Sequence, residues 1–184
     1  VFLPSFDEIL YMVDREKFFA FQHAGNGDVL SQADGVLLGQ VAQTLLDMGS
    51  AVIVLKLGDQ GLYVRTTSDA DRLRAMGPCA PNDIDAWTGC ELLAPCFQVD
   101  LVGATGSGDC TIAGFLAGLL HNLSPEETIT AAVATGACNV EALDATSGVC
   151  TWEDMQARIA AGWARREVKL SLPGWRFDDA AGVY

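Results

Sequence analysis

Apolar positions along this chain fall into short blocks that alternate between helical and strand periods. Ile9, Leu10, Met12 and Val13 follow Ser5-Phe6-Asp7-Glu8, an S-x-x-E box that opens a helix by satisfying two backbone N–H groups reciprocally. The apolar side of that helix fades after Arg15, and Gly25-Asn26-Gly27 reads as a turn. Leu37, Val41, Leu45 and Met48 share one helical face, and Gly49 stands where a C-cap belongs. Ala51-Val52-Ile53-Val54-Leu55 is apolar and rich in β-branched residues, the signature of a strand buried on both faces. After Gly58-Asp59-Gln60-Gly61, Leu62-Tyr63-Val64 predicts a second strand and so a hairpin. At the front, Val1-Phe2-Leu3 reads as the tail of a buried strand running into Pro4-Ser5.

The stretch from Thr66 to Thr88 is polar and weakly patterned, which predicts an irregular loop with one short strand near Trp87. Phe97 to Val102 alternates like a strand and leads into Gly103-Ala104-Thr105-Gly106-Ser107-Gly108-Asp109. A helix follows to about residue 121, with Ala113, Gly114, Ala117 and Gly118 small enough for close packing. Ser124-Pro125-Glu126-Glu127 is a complete helix start, and Ile129, Val133, Gly136, Ala137 and Val140 share the face of the helix it opens. Thr151-Trp152-Glu153-Asp154 begins a last helix carrying Met155 and Ile159. From Leu172 onward the pattern predicts a poorly ordered tail. Strands alternating with helices imply an α/β fold around a largely parallel sheet, with no repeat and no interior boundary.

Composition narrows the partners. The 184 residues carry 24 acidic and 11 basic side chains, a net charge of −13, so nucleic acid meets a repulsive field. A small anion in one local pocket remains compatible with that charge. Half the residues are hydrophobic, which argues against disorder. No run of 18 apolar residues and no leader-like N-terminus occurs, so the expectation is a soluble, cytoplasmic chain without a membrane partner. The six cysteines lack CxxC pairs and zinc-finger spacing. They read as reduced thiols used as small apolar side chains, with a disulfide or metal site as the alternative.

The chemistry concentrates at Gly106-Ser107-Gly108-Asp109. Two glycines at a helix start let successive N–H groups turn toward one point, where the helix end adds partial positive charge. Such a nest holds phosphate oxygens without a basic side chain. It is not a P-loop, since no Lys-Ser/Thr pair follows. Nor is it a dinucleotide fingerprint, since Thr111 occupies the sixth position from Gly106, which disfavours an oxidoreductase. Asp109 has two readings: a base accepting a proton from an attacking hydroxyl, or a plain helix cap. Glu8 can be only the capping-box partner, and Lys56 only a solvated strand-end residue. Ser107 has no histidine at a suggestive distance to make it a nucleophile, and His23 and His121 read as surface residues. The four tryptophans read as packing residues.

Val102-Gly103-Ala104-Thr105-Gly106-Ser107-Gly108-Asp109-Cys110-Thr111-Ile112-Ala113-Gly114-Phe115 resembles the second signature of the PfkB (ribokinase-like) carbohydrate kinases, D-T-x-G-A/S-G-D with A/G-G-F downstream. Pro4-Ser5-x-x-Glu8 is similar to the family's P-N-x-x-E, with Ser in the Asn place. Lys56-x-Gly58-x-x-Gly61 looks like its K-x-G-x-x-G hairpin along the nucleotide phosphates. The resemblance implies a ribokinase-like three-layer α/β/α fold with a mostly parallel sheet. It makes residues 1–165 the nucleotide-binding part of a kinase and 166–184 a C-terminal tail. It implies ATP-Mg²⁺ as phosphoryl donor and a sugar or nucleoside-like hydroxyl as acceptor. Asp109 would be the base, and the N–H groups of Gly106, Ser107 and Gly108 the anion hole. Lys56, Gly58, Gly61, Thr105 and Asn139 would contact the nucleotide, with Asn139 at the adenine pocket, and Glu8 would hold Mg²⁺ through water.

Two departures qualify the resemblance. Gly103 replaces the Asp that opens the signature and helps hold a monovalent cation in many members, which puts cation activation in doubt. The family's first signature, substrate-binding Asp and β-sheet lid, expected upstream of P-N-x-x-E, do not occur. The expectation is therefore a carboxyl-terminal half, with the N-terminal half and lid absent. The alternative is a non-catalytic nucleotide-binding or structural domain, and an open sheet edge at Val1 would favour a homodimer.

Overall fold

The computed structural model describes residues 1–184. Strand β1 (Val52–Lys56) sends alternate side chains into two different cores. Val52 and Val54 point one way, with Leu62 and Val64 of β2 (Leu62–Thr66) and Ala94 of β3 (Glu91–Ala94). Ile53, Leu55, Tyr63 and Leu93 point the other way. A period of two with both sets apolar has one physical solution, a sheet covered by helices on both faces. Helix α1 (Phe6–Val13) and α3 (Gly35–Asp47) cover one face through Phe6, Leu38, Val41 and Leu45. Helix α6 (Ser107–Leu120) and α7 (Pro125–Asn139) cover the other through Phe115, Leu119, Ile129 and Val133. The three-layer α/β/α arrangement is present, and each fully buried Leu, Ile or Phe in it contributes about 1.5–3 kcal/mol.

Pairing within the sheet differs from the expectation. The order is β1-β2-β3 and both pairings are antiparallel, with Val54 opposite Val64 and Tyr63 opposite Leu93. Parallel pairing beside β1 is limited to two bridges, Phe2 with Ile53 and Ser5 with Lys56, where residues 2–5 run along it, and a third parallel bridge joins Asp34 to Ser171. The tight return at Gly58–Gly61 explains the first antiparallel pair, since a parallel neighbour needs a crossover of a dozen or more residues. Val1 and Phe2 are part-exposed there rather than buried.

Four local expectations also change. Asp14 ends α1 and caps α2 (Arg15–Ala24), accepting from the Lys17 N–H at 3.0 Å, so helix continues where the apolar stripe fades. Trp87 lies on a short helix, α5 (Ile84–Trp87), after α4 (Ala70–Arg74), and not on a strand; its indole is buried against Phe115. Phe97 to Val102 forms no strand, only one antiparallel bridge from Phe97 to Arg165. The stretch from Leu172 packs back onto the body, with Trp175 over Gly35. Tyr184 exchanges backbone bonds of 2.9 and 3.1 Å with Leu93. This last contact pairs the outer edge of β3, which a sheet otherwise leaves open to aggregation.

Helices α6 and α7 lie close enough that side chains on Gly114, Gly118 or Gly136 would collide with Thr135, Thr128 or Thr111. The capping box at Ser124 and the N1 proline start α7 as the sequence predicts. Helix α8 (Trp152–Ala160) starts at Thr151, whose hydroxyl accepts from the Asp154 N–H at 3.1 Å.

Candidate functional site

The turn into α6 is hung from the C-terminal end of α7. The N–H groups of Val102 and Gly103 both donate to the Val140 carbonyl, at 2.8 and 3.1 Å. The Asn139 side-chain amide donates to the Thr105 carbonyl at 2.8 Å. Gly106 is the N-cap of α6 with φ +77°, and a Cβ there would lie 2.6 Å from the Ala145 carbonyl oxygen. Only glycine meets both demands, since an L-residue in that region costs about 1–2 kcal/mol before any collision. Ser107 is partly spent on the turn: its N–H and Oγ both donate to the Ala104 carbonyl, at 3.3 and 2.9 Å. The backbone N–H groups of Gly106, Gly108 and Asp109 have no protein acceptor, leaving donors at a helix start to receive an anion.

Facing that turn is the β1–β2 hairpin. A cavity of about 300 Å³ lies between them, with Lys56, Gly58 and Gly61 on the hairpin side and Ser107, Gly108 and Thr111 on the α6 side. Lys56 projects over the helix start, where a Cβ on Gly108 would lie 3.4 Å from its Nζ. The cation and one of the free donors, the Gly108 N–H, therefore meet at the start of α6. The remaining wall is apolar, built from Val133 and Ala137 of α7 and its C-cap Val140, with Phe97 and Leu101. Such a wall suits a flat ring, and the lysine end suits phosphate. Cys96 also lines the cavity, and burial pushes its thiol up to about 11, so it is neutral there.

A second cation in this cavity had no signal in the sequence. Arg166 lies at the mouth, its guanidinium 3.1 Å from the Asp59 carboxylate of the hairpin turn. Its backbone N–H donates to the Cys96 carbonyl at 2.7 Å, which brings it across 107 residues of sequence to Asp59.

Other candidates lie outside the cavity wall. Asn139 is fully buried and braces Thr105 instead of lining the cavity, whereas its neighbour Val140 does line it. Thr105 itself is exposed on the loop. Glu8 is exposed in a separate groove with Pro4, Tyr11 and Ile112, and its carboxylate accepts from the Ser5 N–H at 3.3 Å. Asp109 is exposed at the third position of α6. It caps nothing, because the N-cap is Gly106, with no side-chain cap bond. Gly103 offers no carboxylate to a monovalent cation, and a Cβ there would lie 2.8 Å from the Ala142 carbonyl oxygen. The residue present does not fit that role. His121 stacks on Trp152 with centroids 4.6 Å apart, and His23 closes α2, both away from the cavity.

Residues 28–152 match the profile of the pfkB family carbohydrate kinases. The chain belongs to that family. The matched span takes in the hairpin and the Gly106–Asp109 turn, while Glu8 and Arg166 fall outside it. Solved structures of the family share the ribokinase-like fold. Ribokinase from Thermotoga maritima aligns at 21% identity and TM-score 0.57, over 86% of this chain and 42% of its own. Phosphofructokinase-2 from Escherichia coli, solved with potassium, aligns at 18% identity and TM-score 0.57, over 86% and 40%. Aminoimidazole riboside kinase from Salmonella enterica, solved with aminoimidazole riboside and an ATP analogue, aligns at 20% and TM-score 0.54, over 85% and 40%. This chain thus spans about two-fifths of the length of these family structures. No curated protein matches the sequence. No helix is long and apolar enough to cross a membrane.

Proposed function

We propose that this pfkB-family chain carries the nucleotide-binding and phosphoryl-transferring part of an ATP-dependent kinase for a sugar or nucleoside-like hydroxyl. The observation that carries the reading is that Lys56 and Gly108, at the start of α6 with its free N–H, face one cavity with an apolar wall. ATP fits that division: its ring system would lie against Val133, Ala137 and Val140, and its phosphates toward Lys56 and Gly108. Phosphoryl transfer rests on positioning and charge neutralisation more than on covalent chemistry, and both are available here.

Within this reading Asp109 is the base. Its carboxylate is exposed beside the anion-binding N–H groups and has no capping role to hold it back. It would accept the proton of the acceptor hydroxyl as that oxygen attacks. Exposed carboxylate oxygens also suit Mg²⁺, which keeps several waters and binds through one or two carboxylates plus phosphate. Glu8 is the group that would hold it, through water, and when bound it would neutralise charge on the transferred phosphoryl group. No step is assigned to a monovalent cation.

Calorimetry with Mg²⁺-ATP tests the nucleotide site, and the absence of both heat and a thermal shift would sink it. A kinase assay over sugars and nucleosides tests catalysis, with Asp109→Asn expected to abolish turnover while leaving nucleotide binding in place. Turnover surviving that substitution removes Asp109 as base. A second reading, a nucleotide-binding domain without transfer of its own, is favoured by Glu8 lying in a groove separate from the cavity. Binding without transfer across the whole panel supports it. Sedimentation tests the homodimer, for which Val1 and Phe2 beside β1 form the exposed edge.

A further inference from the structure

Two thiols face each other at the C-terminal end of α7. The sulfurs of Cys138 and Cys150 are 3.4 Å apart, Cys138 buried in the last turn and Cys150 exposed in the loop before α8. We propose that Cys138 and Cys150 form a dithiol site that small-molecule disulfides convert into an intramolecular disulfide. A disulfide is about 2.05 Å long, so the 3.4 Å gap need close by only about 1.3 Å. The loop is already seated for it, since a Cβ on Gly148 would lie 2.5 Å from the Cys138 carbonyl oxygen. None of the other cysteines is so placed. Cys96 and Cys110 direct their sulfurs at the Gly58 and Ala145 carbonyls, and no thiol pairs with Cys79 or Cys90.

Accessibility sets the order of events. Burial, and next the bond to Cys150, push the Cys138 thiol up to about 12, with Glu141 adding to the rise and Arg158 of α8 opposing it. Exposed Cys150 is thus the attacking thiolate. It attacks one sulfur of a small disulfide, forming a mixed disulfide and releasing one small thiolate. Cys138 then attacks the Cys150 sulfur, and its proton leaves with the second small thiolate. The two protein thiols lose two electrons and the small disulfide gains them as two thiols.

The new bond would span residues 139–149, which include the backing of the anion-binding turn. Ala142 and Ala145 present the carbonyls that a Cβ on Gly103 or Gly106 would strike. Closing the disulfide therefore staples the wall behind Gly106 without touching the cavity itself.

The test is to incubate the full chain with glutathione disulfide, block the remaining thiols and cleave after glutamate. Peptides 128–141 and 142–153 should be joined, reactive thiols should fall by two of the six, and dithiothreitol should reverse both changes. In Cys138→Ser, glutathione should stay on Cys150; Cys138→Ala serves if the serine variant unfolds. The proposal is overturned by glutathione persisting on Cys150 of the unaltered chain, by a linkage to another cysteine, or by all thiols remaining reactive.

Discussion

The Asn139 side-chain amide donates to the Thr105 carbonyl at 2.8 Å, so the last residue of α7 holds the loop that enters α6. Its other polar atom, Oδ1, is buried without a partner, so the side chain is kept for that one bond. Asn139→Ala removes the bond, and because Thr105 is exposed its carbonyl turns to water, so the loss is about 0.5–1.5 kcal/mol. Urea unfolding should show it as a lower midpoint, and Mg²⁺-ATP affinity should fall as the loop loosens. An unchanged midpoint would show that the bond is dispensable.

Gly106→Ala should damage the site more than the fold. A φ of +77° and a carbonyl 2.6 Å from the new Cβ force the turn to move. The left-handed region alone costs an alanine about 1–2 kcal/mol. The expected result is a modest drop in melting temperature with loss of nucleotide heat in calorimetry. Full nucleotide affinity in this variant would mean that the free N–H groups are not the anion site.

Lys56→Met and Arg166→Gln separate the two cations. Lys56 is half-buried over Gly108, so losing a charge-assisted bond of about 1.5–3 kcal/mol should weaken ATP binding roughly 10- to 150-fold. Adenosine binding should hardly change. Arg166, paired with Asp59 at the mouth, should give a smaller loss confined to phosphorylated ligands. Equal loss for adenosine and ATP would place these side chains at the ring end of the cavity.

Acid stability should depend on Arg158. Its guanidinium makes two bonds of 2.7 Å to Glu141 and holds that carboxyl below its ordinary 4.5. A folded pKa below the unfolded one adds stability that is present above pH 4.5 and lost as pH falls through the folded value. Arg158→Met should therefore flatten the acid limb of a stability–pH curve while changing its alkaline side little. Parallel acid limbs in the two proteins would remove the pair from the account.

Deleting residues 178–184 should destabilise the sheet and promote association. Tyr184 pairs with Leu93 on the outer edge of β3, and Val183 is buried in the core beneath. Removing them exposes an unpaired edge with apolar neighbours. Light scattering should rise on warming well before it does for the full chain, and an unchanged profile would show that the edge needs no cover.

Much of the site was readable because its parts are local. Ser5 with Glu8, Ser124 with Glu127, the Gly58–Gly61 return and the Gly106–Asp109 turn each form from residues within a few positions of one another. The misread stretches lacked such a local source. Phe97 to Val102 alternates like a strand, yet its backbone bonds are divided between Ala164 at one end and Val140 at the other, so only one bridge forms. Trp87 looked like a short strand in an irregular loop, and the last residues like a tail, because their polar neighbours hide single apolar anchors that only distant partners bury.

The sequence alone determined the caps, the hairpin, the small-residue crossing of α6 on α7 and the glycine turn with Asp109. Backbone hydrogen bonds over three or four residues and the space a Cβ needs are properties of short segments. Only the tertiary structure decided the antiparallel pairing of β2 with β3 and the bracing of Thr105 by Asn139. It alone placed Arg166 at the cavity mouth, Cys138 against Cys150, and Tyr184 on β3. Those contacts join residues from 12 to more than a hundred positions apart, and their energy exists only once two separately formed segments are packed together.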